Sequence, residues 1–258
     1  MKATHRLWRA VAAFRSRFPH PAAKPSGLRV LCYHSVGGVI AQDRYGLSIN
    51  PGQFKGHMEL LAGSRFGRCV SLGSARLDGT PEIAVTFDDG FADTLTIAAP
   101  ILSSLRIPFT VCATASFVRE GRPPHLSLEG LRELAKVPGA EIGAHGSRHL
   151  MMARCSDEEL RGDLADSKDF LERALGAKVT VMTWPHGSSS RRTADFARQA
   201  GFARAGCSLY GINEPSRDRL LLKRTEITGF DSMDDFINKC SGGWDWFALR
   251  QGDPAKRA

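Results

Sequence analysis

With 258 residues, 42% hydrophobic and 24% charged, the chain can bury the core of one large domain or two small ones and has an ordinary globular composition. Thirty-five Lys+Arg against 27 Asp+Glu leave a net charge of +8, which favours anionic partners but says nothing about fold. No basic block is interleaved with aromatics, so the surplus does not read as a nucleic-acid track.

Residues 1–20 carry Lys2, Arg6, Arg9, Arg15 and Arg17. The longest apolar run there, Ala10–Phe14, is too short for a signal-peptide core or a membrane span, and the protein is expected in the cytoplasm. Leu7, Trp8, Val11 and Phe14 fall at helical spacing among the arginines. They describe a basic amphipathic helix that either lies on the inner membrane face or packs on its own domain. Residues 1–27 are therefore set apart as helix and linker, with one barrel domain over 28–250.

Strand-like runs follow at Leu28–Tyr33, Ile83–Phe87, Phe109–Ala113, Ala140–Ala144, Val179–Thr183 and Leu220–Lys223, with a shorter one at Phe202–Cys207. Helix-like segments fall between them near 51–63, 91–105, 127–136, 157–175 and 190–200, and a last one near 231–240. Asn50 before Pro51 is an N-cap followed by Pro at the first helical position. Ser156 with Glu159 is a capping box, and Pro100 should kink or divide its helix. Six scattered cysteines, several inside apolar runs, behave as small hydrophobes and make no disulfide framework. Alternating strands and helices predict an α/β fold of parallel βαβ units with right-handed crossovers, and about seven of them fit a barrel better than two separate domains. In such a barrel, chemistry collects on the rim formed by the strands' C-terminal ends.

Two strand ends carry that chemistry. Ile83–Phe87 runs into Asp88-Asp89-Gly90, adjacent carboxylates of which one can bind a metal while the other handles protons. Ala140–Ala144 runs into His145, with His149 four residues on, a spacing that lets two imidazoles converge on one ion. Each motif alone has an ordinary reading, a turn or a pair of surface histidines. Together on one rim they describe a metal hydrolase with open coordination positions.

T-F-D-D-G followed by H-x-x-x-H resembles the polysaccharide deacetylases, the NodB-homology or carbohydrate esterase family 4 proteins. Asn50–Phe54, Trp184-Pro185-His186-Gly187, Gly201-Phe202 and Leu220–Arg224 add to the likeness, which spans residues 28 to about 229. The resemblance implies a distorted (β/α)7 barrel of NodB-homology type that removes N-acetyl or O-acetyl groups from sugars with Zn²⁺ or another divalent ion. It makes Asp89, His145 and His149 the metal ligands and Asp88 the general base. It makes the backbone of His186 an oxyanion donor, and it places Trp184 and Pro185 at the substrate.

The departures are specific. Gly146 stands where the family has Ser or Thr, and Thr183 stands where its motif has an arginine that orients the catalytic Asp. Arg224 is the candidate replacement for that arginine. No histidine follows His186, so the usual late general acid is missing. The circularly permuted poly-N-acetylglucosamine deacetylase subgroup carries it in an early Y-H-x-[VI] strand, which Tyr33-His34-Ser35-Val36 matches. His34 is thus the candidate general acid. His57 and His125 read as surface or helix residues, and Trp244–Phe247 as packing of a C-terminal helix.

The expected activity is removal of an N-acetyl group from an amino sugar, lipid-linked, nucleotide-linked or in a glycan precursor. An amidase or deformylase acting on another N-acyl sugar, and a silent carbohydrate-binding barrel, remain as alternatives.

Overall fold

The continuous apolar runs become the strands of one parallel sheet. A computed structural model describes residues 26–121 and 123–256, so the proposed N-terminal helix, His5 and His20 lie outside the described residues. In chain order the strands are β1 (Leu28–Tyr33), β2 (Ser35–Val36), β3 (Ser48–Ile49), β4 (Arg68–Val70), β5 (Glu82–Phe87), β6 (Phe109–Ala113), β7 (Ala140–Ala144), β8 (Val181–Thr183), β9 (Arg204–Gly206) and β10 (Thr225–Glu226).

Seven of them pair in the order β10-β1-β5-β6-β7-β8-β9, and β4 pairs with β5 outside this path. A parallel bridge between Gly206 and Leu222 carries the curl from β9 back towards β10. This is the expected distorted (β/α)7 barrel. Every residue of β1, β5 and β6 is buried, as required when helices cover one face of a strand and side chains fill the other. The charged residues in these strands are paired: Arg29 makes two 2.9 Å bonds to Asp245, and Glu82 receives Arg68 at 2.7 Å and Arg76 at 3.1 Å.

Helix starts follow the local chemistry. Asn50 Oδ1 accepts from Gly52 N–H at 2.8 Å and opens Pro51–Ala62, and the Ser156–Glu159 capping box opens Asp157–Leu175. Around Pro100 the helix divides, a π-wound turn over Thr94–Ala98 giving way to an α-helix over Ala99–Ser104. All six cysteines are free. No helix among the described residues is long and apolar enough to cross a membrane.

Three expectations need correction. Leu220–Lys223 is not a strand: Asn213 receives Lys223 N–H at 2.8 Å and donates to its carbonyl at 2.9 Å, while Asp218 takes Leu220 and Leu221 N–H. The pairing with β1 falls instead on Thr225–Glu226. The strand expected over Val179–Thr183 starts only at Val181, because Val179 N–H bonds Glu172 at 2.9 Å. His57 lies on helix Pro51–Ala62 but is fully buried. Its ring stacks on Phe236 at 3.8 Å, and its Nδ1 lies 3.2 Å from the Tyr33 hydroxyl.

Burial pushes the His57 imidazole down to about 4 from its ordinary 6.5. The unfolded chain therefore binds the extra proton below pH 6.5 while the folded chain stays neutral until about pH 4. The stability that neutral His57 contributes is complete above pH 6.5 and is lost as pH falls through that window. Urea titrations of the parent and of His57→Phe should show the parent's stability falling relative to the variant's over that range. A constant difference contradicts the assignment.

Candidate active site

Asp88 and Asp89 follow β5, His145 follows β7 and His34 follows β1, so three parallel strands deliver them to one rim. The backbone fixes where each leaves the sheet: Asp88 N–H donates to the Tyr33 carbonyl at 3.0 Å, and His145 N–H to the Ala113 carbonyl at 2.9 Å. Asp89, His149 and His186 hold left-handed backbone, with φ of +68°, +57° and +56°. A side chain at such an angle costs energy and persists only where its surroundings over-determine it.

Asp89, His145 and His149 offer ligand atoms within 4.8 Å of one another. Asp89 Oδ1 lies 3.4 Å from His145 Nε2 and 3.1 Å from His149 Nε2, and it is buried without a well-aligned hydrogen-bond donor. Such an orphaned carboxylate oxygen facing two ring nitrogens fits a divalent cation, and one carboxylate with two imidazoles is a zinc-type donor set with open positions. Burial alone would raise the Asp89 carboxyl, but the hydrogen-bonding contact with His149 and the charge of His145 hold it down at about 2. Burial pushes His145 down to about 4.

Asp88 is 3% exposed and grips Arg224 through both oxygens, Oδ1 to Nη1 and Oδ2 to Nη2, each at 2.7 Å. Burial raises its pKa, yet the guanidinium outweighs this and holds the carboxyl far below the usual range. The Thr183 hydroxyl donates to Oδ1 at 2.9 Å, and the Cys32 thiol reaches Oδ2 at 3.5 Å. Arg224 reaches Asp88 by passing over Gly206, where a Cβ would stand 2.5 Å from Arg224 Cδ. Gly206 pairs with Thr183 across β8 and β9, so two small residues side by side make the channel.

His34 comes to the same place. Its ring, Cys32 Sγ and an Asp88 oxygen lie within 4.8 Å of one another, and His34 Nδ1 is buried with no hydrogen-bond partner. The loop beyond it is tied by Asp93, which accepts from Ser35 Oγ at 2.5 Å and from Val36 N–H at 3.0 Å.

Gly146 has φ +71°, and a Cβ on it would lie 2.6 Å from Met152 Cε and 2.9 Å from Asp163 Oδ2. A Ser or Thr therefore does not fit this backbone. Asp163, 2% exposed, orders the histidine loop by accepting Ser147 N–H at 2.7 Å and Arg148 N–H at 3.0 Å. Sequence reasoning missed Asp163, although a signal exists: it shares the buried helix face with Leu160, Leu164, Ser167 and Leu171, where a charge needs a partner.

The reading of His125 as a surface or helix residue changes. His125 is drawn to the rim, because Leu126 N–H donates to the Gly90 carbonyl at 2.8 Å and Ala92 N–H to the Pro124 carbonyl at 2.9 Å. Its ring sits 4.9 Å from Phe91 and 4.3 Å from Phe117, and Phe117 in turn lies 5.8 Å from His149. His186 is exposed and continues this wall of rings, 4.4 Å from His149. Trp184 is fully buried and donates its indole N–H to the Leu220 carbonyl at 2.9 Å, and Pro185 is buried beside it. Neither side chain reaches the opening as a substrate-binding residue should, and both are packing.

The family model for polysaccharide deacetylase matches residues 76–205. The chain belongs to the polysaccharide deacetylase family. A peptidoglycan-N-acetylglucosamine deacetylase of Bacillus cereus is 38% identical over 122 residues, 46% of this chain and 53% of that protein. YxkH of Bacillus subtilis is 24% identical over 185 residues, 69% of this chain and 63% of its own length. The chain thus matches less than two thirds of either relative. Among solved structures, the Streptococcus pyogenes deacetylase PplD superposes with a TM-score of 0.74 at 21% identity, covering 84% of this chain and 99% of that one. IcaB from Ammonifex degensii gives 0.67 at 22%, covering 84% and 97%. These likenesses establish the NodB-type fold.

Arg224→Met would leave a buried carboxylate at Asp88 without its counter-charge. Equilibrium urea unfolding at pH 7 should show a loss of about 3–5 kcal/mol, the cost typical of breaking a buried pair from one side. A loss below about 1 kcal/mol would show that the pair is not a stability element.

Proposed function

We propose that this protein is a metal-dependent hydrolase that removes the N-acetyl group from an amino sugar in a glycan or glycan precursor. One observation carries the reading: an arginine-held carboxylate, Asp88, stands next to the Asp89–His145–His149 cluster, with His34 beside it. Asp89, His145 and His149 would hold a divalent ion such as Zn²⁺, which when bound would supply Lewis-acid chemistry to the hydrolysis.

The chain's own groups do the proton work. Asp88 accepts the proton of the attacking water, with Arg224 fixing the direction in which its carboxylate faces. His34, on the same rim, gives a proton to the leaving amine. The backbone N–H of His186 is the donor proposed for the developing oxyanion, a role worth about 3–4 kcal/mol of barrier. The net charge of +8 supports an anionic acceptor, such as a lipid- or nucleotide-linked sugar.

The test is acyl release from zinc-loaded protein on N-acetylglucosamine oligomers, with N-formyl counterparts alongside. Acetate release that falls about 10²–10⁴-fold in Asp88→Asn supports the assignment of the base. His34→Ala should keep its zinc and its fold while losing turnover to a similar degree. Full activity in Asp88→Asn overturns the mechanism. Preference for the formyl sugars would make the protein a deformylase, and silence on every glycan would leave a carbohydrate-binding barrel.

A further inference from the structure

Thr183 presents two different oxygens to one imidazole. His145 Nδ1 lies 3.0 Å from the Thr183 carbonyl oxygen and 2.6 Å from its hydroxyl. A carbonyl can only accept, so Nδ1 carries the ring proton and Nε2 is left with its lone pair. That lone pair lies on the side of Asp89, whose Oδ1 is 3.4 Å away. The Thr183 hydroxyl has a single proton of its own, which it donates to Asp88 Oδ1 at 2.9 Å. The hydrogen bonds therefore run one way, from His145 through the Thr183 hydroxyl to Asp88. All three side chains are buried, Thr183 completely.

We propose that Thr183 is a positioning residue with a divided task. Its carbonyl selects the tautomer of His145, and its hydroxyl is the one-atom spacer that fixes Asp88 relative to His145. Arg224 alone cannot do the second job. A bidentate guanidinium sets the plane of the carboxylate, but both would move together with the Arg224 side chain. Thr183 attaches the same carboxylate to β8, a strand separate from the segment before β10 that carries Arg224. Asp88 is then tethered to two separate backbone segments, one of which also holds His145. This inference rests on the proposed roles of Asp88 and His145.

The decisive variants are Thr183→Val, which keeps the shape and the carbonyl but loses the hydroxyl, and Thr183→Ser, which keeps the hydroxyl. Three readouts separate the possibilities: zinc affinity by chelator competition, His145 tautomer by ¹⁵N NMR on metal-free protein, and kcat and KM on the acetylated oligomers. The Val variant should retain the Nδ1–H tautomer and zinc affinity within about threefold. Its kcat should fall about 10–100-fold at unchanged KM, the range typical when a supporting hydrogen bond to a site is removed. Ser should restore kcat.

Parent-like kcat in Val overturns the proposal, as does a low kcat that Ser fails to restore. A tenfold or larger loss of zinc affinity in Val overturns the division of tasks, and an Nε2–H tautomer in the parent overturns the directed chain. Should Val fail to fold, Thr183→Ala replaces it with the same expectations. If the parent hydrolyses no acylated sugar, the proposed function fails. The tautomer and zinc measurements still decide the inference about Thr183.

Discussion

The constraint on which the site depends is the electrostatics of one buried carboxylate. Asp88 is 3% exposed, and an ionised group at that depth is tolerable only with a counter-charge and donors for its lone pairs. Arg224, Thr183 and Cys32 supply them. Other features follow from that requirement. Gly206 has no side chain because the guanidinium passes where one would be, and Thr183, its neighbour in register, is small for the same reason. The adjacency of β1 and β10 brings Arg224 within reach, and Asn213 shapes the approach by holding the Lys223 backbone through both its N–H and its carbonyl.

The second carboxylate has the opposite character. Asp89 Oδ1 is buried without a well-aligned donor and faces two imidazole nitrogens. Two neighbouring residues of one type thus occupy environments that favour different chemistry, one held by an arginine and a threonine and one left open for a cation. The left-handed backbone at Asp89 separates them, turning consecutive side chains away from each other.

Much of this was legible in the chain. Parallel strands covered on both faces are continuous apolar runs, so β1, β5, β6 and β7 were located within a residue of their ends. The acidic pair and the spaced histidines stood at those strand ends and could be read directly. What failed depended on contacts distant in sequence. Leu220–Lys223 has the composition of a strand, but Asp218 takes the N–H groups of Leu220 and Leu221 and Asn213 the backbone of Lys223, leaving only the bridge of Leu222 to β9. Trp184 sits in a motif associated with substrate, but its indole is fixed inside by Leu220. His125 reached the rim because the segment beside Pro124 bonds back to Gly90 and Ala92, which no local periodicity encodes. The family match shares this limit: residues 76–205 include Asp88 and the three histidines at 145, 149 and 186, but neither His34 nor Arg224.

That last division bears on how the molecule matures. A ribosome delivers the chain in sequence order, and β10, which closes the sheet against β1, is the last of the described strands to emerge. Until Arg224 arrives, Asp88 has no counter-charge, and burying it as an anion would be unfavourable. The barrel mouth therefore cannot seal around an ionised Asp88 while synthesis is still passing through the middle of the chain. The pairing of β1 with β10 makes the arrival of Arg224 the event that arms the site.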